Sequence, residues 1–169
     1  MNEREEQEFA EYFAAKRDSA RRTAYLLCGD WHRADDLAQT AFVAVHRRWT
    51  KIRDRAATDA YLRKTLARAA IDESRRPWRR EHYTEALPEP EPASERLDER
   101  VATRADLLAG LKNVPPKQRA VLVLRYFEGL DVAGVAKALG CSEGNVKSQT
   151  ARGLAHLRAA LGEEVETRG

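Results

Sequence analysis

The sequence predicts an all-α chain of two small helical domains joined by a flexible linker. Three observations carry this. Helix formers (Ala, Leu, Arg, Glu) dominate, and the Val/Ile/Thr alternation of strands is nearly absent. Apolar residues recur at helical spacing in both halves. Between them, YTEALPEPEPASER sets Pro88, Pro90 and Pro92 against Glu89 and Glu91. Proline fixes φ and removes a backbone donor, so no helix continues there. A chain of 169 residues suffices for one ordinary domain or two small ones. The expected division is 5–82, a linker over 83–96, and 97–163.

In the first half, Phe9, Tyr12, Phe13 and Lys16 share one helical stripe. A second helix is expected from Ser19 to Cys28, ended by Gly29 and Asp30. A third runs from about Trp31 to Trp49, with Ala34, Leu37, Ala38, Ala41, Phe42 and Val45 forming an amphipathic stripe. A basic loop precedes a fourth helix, about Thr58 to Trp78, whose stripe is Leu62, Leu66, Ala69 and Ala70.

In the second half, Leu97 to Leu111 is helical, and Pro116 suits the first position of the next helix. Ala120, Val121, Val123, Leu124 and Phe127 belong to that helix, and Gly129 stops it. Asp131 can cap a short helix over 132–139. Ser142 can cap a last one to about Leu161.

The segment DVAGVAKALGCSEGNVKSQTARGLAHL (131–157) has the mechanics of a helix-turn-helix. Ala136 is small where two helices cross, Gly140 can take positive φ at the turn, and Val146 fills the core between them. A plain helical hairpin has the same outline. The outward residues Asn145, Lys147, Ser148, Gln149 and Arg152 favour the groove reading. Asn and Gln can bond adenine, Arg and Lys can bond guanine, and a helix N-terminus attracts phosphate.

Net charge is only +3, but its distribution is uneven. From Arg47 to Arg80 twelve basic residues face four acids, a local charge of +8. Such a block suits a polyanion through counterion release, although a solvated helix face has the same composition. Cys28 and Cys141 lie far apart without neighbouring ligands, which argues for reduced thiols and no metal or cofactor. His32, His46, His82 and His156 are scattered, and no glycine-rich phosphate loop or nucleophile–base set occurs, so an enzyme is not expected. The acidic start MNEREEQEF and the lack of a long apolar run point to a cytoplasmic protein without a membrane anchor.

Four segments narrow the class: 25–49, YLLCGDWHRADDLAQTAFVAVHRRW; 60–76, AYLRKTLARAAIDESRR; the proline-broken linker; and 114–161, VPPKQRAVLVLRYFEGLDVAGVAKALGCSEGNVKSQTARGLAHLRAAL. In order and spacing they resemble the extracytoplasmic-function (ECF) RNA polymerase sigma factors of the sigma-70 superfamily, and within these the SigE-family subset. The resemblance implies a first domain (region 2) that binds a coiled coil on the largest polymerase subunits and captures the −10 element as single strand. It implies a second (region 4) that sits on the polymerase flap and reads the −35 duplex. It further implies a monomer when free, work at the nucleoid, and the anti-sigma control that this family often uses.

Carried onto this sequence, the resemblance gives Asp35, Asp36, Gln39 and Phe42 as core-polymerase contacts. For the −10 element it gives Trp49, Tyr61, Arg63, Lys64 and Arg68, with Arg75, Arg76, Arg79 and Arg80 for phosphates. Single strands are held by stacking and by cations, so aromatics beside arginines suit this role. Tyr61 fits the core equally well. For the −35 element it gives Ser142, Glu143, Asn145, Lys147, Ser148, Gln149 and Arg152. The chain departs from the general family at Arg68-Ala69, where Asn-Leu is common, and at Thr150-Ala151, where Leu-His is common. Gln149 stands where Arg is common. The acidic linker could occupy an RNA channel or act as a plain tether. A dimeric helix-turn-helix regulator would explain the second half alone, and a helical adaptor would leave both polar faces idle.

Overall fold

The computed structural model describes residues 1–52, 54–75 and 104–168, with the side chains of 104–105 and 163–168 excepted. Arg53, Arg76, Trp78, Arg79, Arg80, the linker 83–96 and the expected helix start at Leu97 lie outside the described residues. The chain forms two compact units, Met1–Asp72 and Glu73–Gly169. Every regular element among the described residues is helical.

In unit 1, α1 spans Glu3–Cys28, α2 Trp31–Arg47 and α3 Arg55–Ser74. One finding corrects the sequence reading: the two helices expected before Gly29 are one. Ser19 does not cap a new helix, because its hydroxyl donates back to the Lys16 carbonyl at 3.0 Å. No glycine or proline interrupts 3–28, and Tyr12, Ala20, Thr23, Ala24, Leu27 and Cys28 are buried along one face. Asn2 caps α1 by accepting from the Glu5 amide at 2.8 Å. The helix ends where Gly29 takes φ 78° and donates to the Tyr25 carbonyl.

Asp30 starts α2 by accepting from the His32 and Arg33 amides at 2.8 and 3.1 Å. The Arg33 amide, then burial against it and the His32 amide, set the balance that holds this carboxyl below its ordinary pKa. The whole predicted stripe of α2, from Ala34 to Val45, is buried. Helix α3 contributes Leu62, Leu66, Ala67 and Ala70 to the core, so Ala67 takes the place expected for Ala69. Burying these faces against one another is what holds so small a unit together.

In unit 2, α4 spans Arg104–Leu111, α5 Pro116–Leu122, α6 Val132–Leu139 and α7 Glu143–Arg168. Pro116 opens α5 as expected. Its continuation, Val123–Phe127, widens into a π turn, so Phe127 is not an inward helical residue but 44% exposed. Asp131 accepts from the Gly134 amide at 2.7 Å and caps α6. Gly140 takes φ 67°, and Ala136 and Val146 are buried on either side of that turn. Ser142 accepts from the Asn145 amide at 3.0 Å at the start of α7. A Cβ on Gly153 would stand 3.0 Å from Leu122 Cδ1, so α5 and α7 touch closely there.

Candidate nucleic-acid interface

The basic block of unit 1 is built around the turn between α2 and α3. Arg48 closes α2, donating its amide to the Val45 carbonyl at 3.1 Å. Its own carbonyl accepts from the Lys51 and Ile52 amides, both at 3.0 Å. Asp54 then opens α3 by accepting from the Ala56 amide at 3.1 Å, and the buried Thr58 bonds the Asp54 carbonyl through both amide and hydroxyl. The turn is therefore tied at both ends by its own backbone.

Trp49 was expected to meet DNA, but it is only 4% exposed. Its ring lies 5.3 Å from that of Phe9 and 5.4 Å from that of Tyr12, and the Arg55 guanidinium sits 4.1 Å over it. The indole is a core group that anchors the turn to α1, and any part it plays toward DNA runs through the turn it holds. Tyr12 extends this anchor. Its hydroxyl donates to Asp59 at 2.8 Å, and Lys16 stands 3.4 Å from the other Asp59 oxygen. Burial, and then the Asp59 carboxylate, push the Tyr12 hydroxyl pKa far up, so it remains a donor.

The other expected −10 residues lie along α3. Arg68 and Arg75 are exposed, and Tyr61, Arg63 and Lys64 are partly so. The Arg63 Nε is buried without a hydrogen-bond partner. The Arg48 guanidinium lies 5.1 Å over the Tyr61 ring, a pairing that sequence reasoning missed. Thirteen residues separate the two. No local period connects such a pair. Only Arg48's membership in the basic block pointed to it.

Next to the Trp49 anchor, with Phe9 common to both, α1 and α2 form a groove of about 510 Å³. Phe9, Phe13, Phe42 and Val43 give it an apolar floor, and Arg17 and Gln39 stand on opposite rims. Of the expected core contacts, Asp35, Asp36 and Gln39 are exposed. Phe42 is 5% exposed, its ring edge-on to Phe13 at 4.8 Å, so it supports the groove from below. Asp35 is engaged by Arg21 at 2.6 Å. Arg21 also lies 4.3 Å over Trp31, which stacks on Tyr25 at 4.0 Å. Sequence reasoning found the acids and Phe42 but did not join Phe9 and Phe13 to them, because residues of two helices build one floor. Such a groove, apolar in its floor and with Arg17, Arg21, Asp35 and Gln39 around it, can take an amphipathic helix.

In unit 2, α7 and its cap present Ser142, Glu143, Lys147, Ser148 and Arg152 exposed, with Asn145 and Gln149 partly so. Val146, Thr150, Gly153, Leu154 and Leu157 face inward. These polar groups spread over the surface of α7 outside its buried stripe, at the end that Ser142 caps, and hydrogen-bonding side chains near a helix N-terminus suit a duplex groove and its phosphates. A recess of about 190 Å³ lies elsewhere on the unit, lined by Leu107, Leu111, Leu122, Tyr126 and Phe127 among others. His156 meets Gln118 at 2.6 Å between α7 and α5, and burial lowers the pKa of its imidazole. Among the described residues, no three His, Cys, Asp or Glu side chains could hold a metal ion. No described helix is long and apolar enough to cross a membrane.

Comparison with known proteins agrees with this layout. Residues 13–80 match the family described as Sigma-70 region 2, and residues 104–157 match Sigma-70, region 4. The chain is 39% identical over 157 residues to the RNA polymerase sigma-E factor of Streptomyces coelicolor, covering 91% of this chain and 86% of that one. It is 34% identical over 129 residues to the ECF RNA polymerase sigma factor SigM of Mycobacterium tuberculosis, covering 76% of this chain and 64% of that one. Among solved structures it resembles the sigma factor RpoE of Bartonella quintana, crystallised with the anti-sigma factor NepR. The TM-score is 0.67 at 18% identity, over 92% of this chain and 98% of that one.

Proposed function

The chain belongs to the sigma-70 family, among its ECF sigma factors, and from that premise we propose how its two units divide the work. As a sigma factor it binds core RNA polymerase, directs it to specific promoters and helps open the −10 element. It is a DNA-binding initiation factor and not an enzyme. The family acts on cytoplasmic RNA polymerase, and we place this chain at the nucleoid, where promoters are.

The domain bounds proposed are 5–82 and 97–163, and the matched regions 13–80 and 104–157 fall within them. In the first domain, Asp35 and Gln39 at the phenylalanine-floored groove, with Asp36 exposed beside them, meet the polymerase coiled coil. Acid and amide on a rim above an apolar floor complement a helix that is basic on one side. Tyr61, Arg63, Lys64, Arg68 and Arg75 meet the melted −10 strand, with the turn anchored by Trp49 as the wall beside them. Arg76, Arg79 and Arg80 continue the phosphate contacts. In the second domain, Ser142, Glu143, Asn145, Lys147, Ser148, Gln149 and Arg152 meet the −35 duplex, and the flap is its polymerase partner. An anti-sigma factor is a further proposed partner.

The observation that carries this division is that each unit presents its own nucleic-acid face on a different chemical plan. One is a basic helix with aromatics beside a backbone-tied turn. The other is a helix whose outward side chains are hydrogen-bonding groups. A regulator that binds DNA alone needs only the second. The test is transcription by sigma-free bacterial core polymerase with this protein and a promoter library. Specific transcripts are expected. Tight duplex binding with no transcript from any template would refute the reading.

A further inference from the structure

We propose that Arg48 is a base-stacking residue of the −10 site: its guanidinium and the Tyr61 ring form a layered platform that receives one unpaired base. The inference rests on the reading of the chain as a sigma factor and adds a residue and a contact to it.

The backbone fixes where Arg48 stands. Its amide and carbonyl are both used, the first on Val45 and the second on Lys51 and Ile52. The next residue, Trp49, is clasped by Phe9, Tyr12 and Arg55. Arg48 cannot drift from the turn without pulling a buried indole with it. Its side chain is nevertheless exposed. A long cation in water usually samples many rotamers, but this one lies 5.1 Å over a tyrosine ring contributed by another helix. No carboxylate among the described residues neutralises it, although Asp54 and Asp59 lie nearby in the chain.

The chemistry selects a base over a phosphate. A guanidinium is planar, weakly hydrated on its faces, and stacks on aromatic rings and on nucleobases alike. With Tyr61 against one side, a base can lie against the assembly and meet both π surface and positive charge. Single strands are held by this combination of stacking and cationic contact. Arg63 and Lys64, two and three residues beyond Tyr61, are partly exposed and can take the phosphates that flank such a base. A phosphate would be served by any flexible cation and would not require Arg48 to be held against a ring.

The test uses the full chain with core polymerase and promoters in which single bases of the non-template −10 strand are removed one at a time. Open-complex formation is read by permanganate reactivity. On the intact promoter, Arg48→Ala and Arg48→Lys should each reduce opening by roughly tenfold, since lysine keeps the charge and loses the plane. Removing the stacked base should cost the wild type a similar factor and cost the two variants nothing more. At every other position the variants should remain below the wild type. Circular dichroism should show unit 1 folded in both variants. Wild-type opening by Arg48→Lys would reduce the residue to a charge, and an Arg48→Ala deficit equal on every template would remove the stacking contact; either result overturns the proposal. A wild-type protein that opens no promoter with core polymerase would overturn the sigma reading, and this inference with it, and would show before any variant is made.

Discussion

Replacing Trp49 by alanine separates its two possible roles, a DNA-stacking ring and a buried anchor. The structure supports a magnitude for the anchor. The indole is 4% exposed and meets two aromatic rings and one guanidinium. Truncating a buried Trp to Ala costs about 3–5 kcal/mol. Unit 1 has 72 residues, which at about 0.05–0.15 kcal/mol per residue gives a total stability of roughly 4–11 kcal/mol. Trp49→Ala should therefore remove about a quarter or more of it. Urea denaturation followed by circular dichroism reads this, since the two units give separable transitions if each unfolds by itself. The transition of unit 1 should move to much lower urea and that of unit 2 should stay. Trp49→Phe keeps most of the apolar volume and should retain promoter opening once folded. An unmoved denaturation curve for Trp49→Ala, joined to lost promoter opening, would refute the anchor and restore the DNA role.

Four further outcomes are expected. Tyr12→Phe removes the 2.8 Å bond to Asp59, a bond to a charged group, and should destabilise unit 1 by about 1.5 kcal/mol in the same urea titration, the low end because Asp59 is partly solvated and keeps Lys16. Gly140→Ala forces a side chain onto a residue at φ 67° and should destabilise unit 2 by about 1–2 kcal/mol without changing which promoters are used. The His156 pKa is lowered in the folded state, mainly by burial, so the unfolded chain takes up this proton first as the pH falls. The stability present above about pH 6.5 should then decline below it, and thermal melts of His156→Gln should show a flatter pH dependence for unit 2. Gln149→Ala and Arg152→Ala should each reduce transcription roughly tenfold on a matched −35 element; losses equal across all −35 variants would make them phosphate contacts instead.

The sequence revealed most where structure is local. The α2 stripe, the Asp131 cap, the Gly140 turn and the buried Val146 all follow from spacing and backbone chemistry within one or two turns. Where long-range packing decides, it misled. Ser19 has the composition of a cap, but its hydroxyl turns back into a helix whose buried face runs on to Cys28. Trp49 sits among arginines and invites a stacking role, yet its partners Phe9 and Tyr12 lie some forty residues earlier. The Phe13–Phe42 contact in the groove floor and the Arg48–Tyr61 pair each join distant segments, so no short window of sequence contains them. The π turn that exposes Phe127 has the same cause: the apolar pattern of 120–127 suits a plain helix, and only the packing of the unit decides that its end is widened.

Burial also limits which departures from the general family can bear on the −35 sequence. Three neighbouring positions differ: Gln149, Thr150 and Ala151. Thr150 is 3% exposed, and its hydroxyl donates to the Val146 carbonyl at 2.7 Å within the helix. It faces α5 and α6 with Val146 and Gly153, so it has no reach toward a base. A smaller residue there is a matter of helix packing, as is Gly153, where a Cβ would press on Leu122. Helical geometry places Gln149 on the flank it shares with Asn145, and Ala151 on the flank it shares with Lys147. On the proposed reading the two flanks then differ in kind. The first carries the Gln149 amide, which can pair with adenine by donor and acceptor together, while the Oδ1 of Asn145 is buried. The second sets beside Lys147 a methyl group at 151, which can meet a thymine methyl but forms no hydrogen bond. On that reading, of the three positions only 149 and 151 bear on −35 preference, through an amide gained at 149 and a hydrogen-bonding side chain lost at 151.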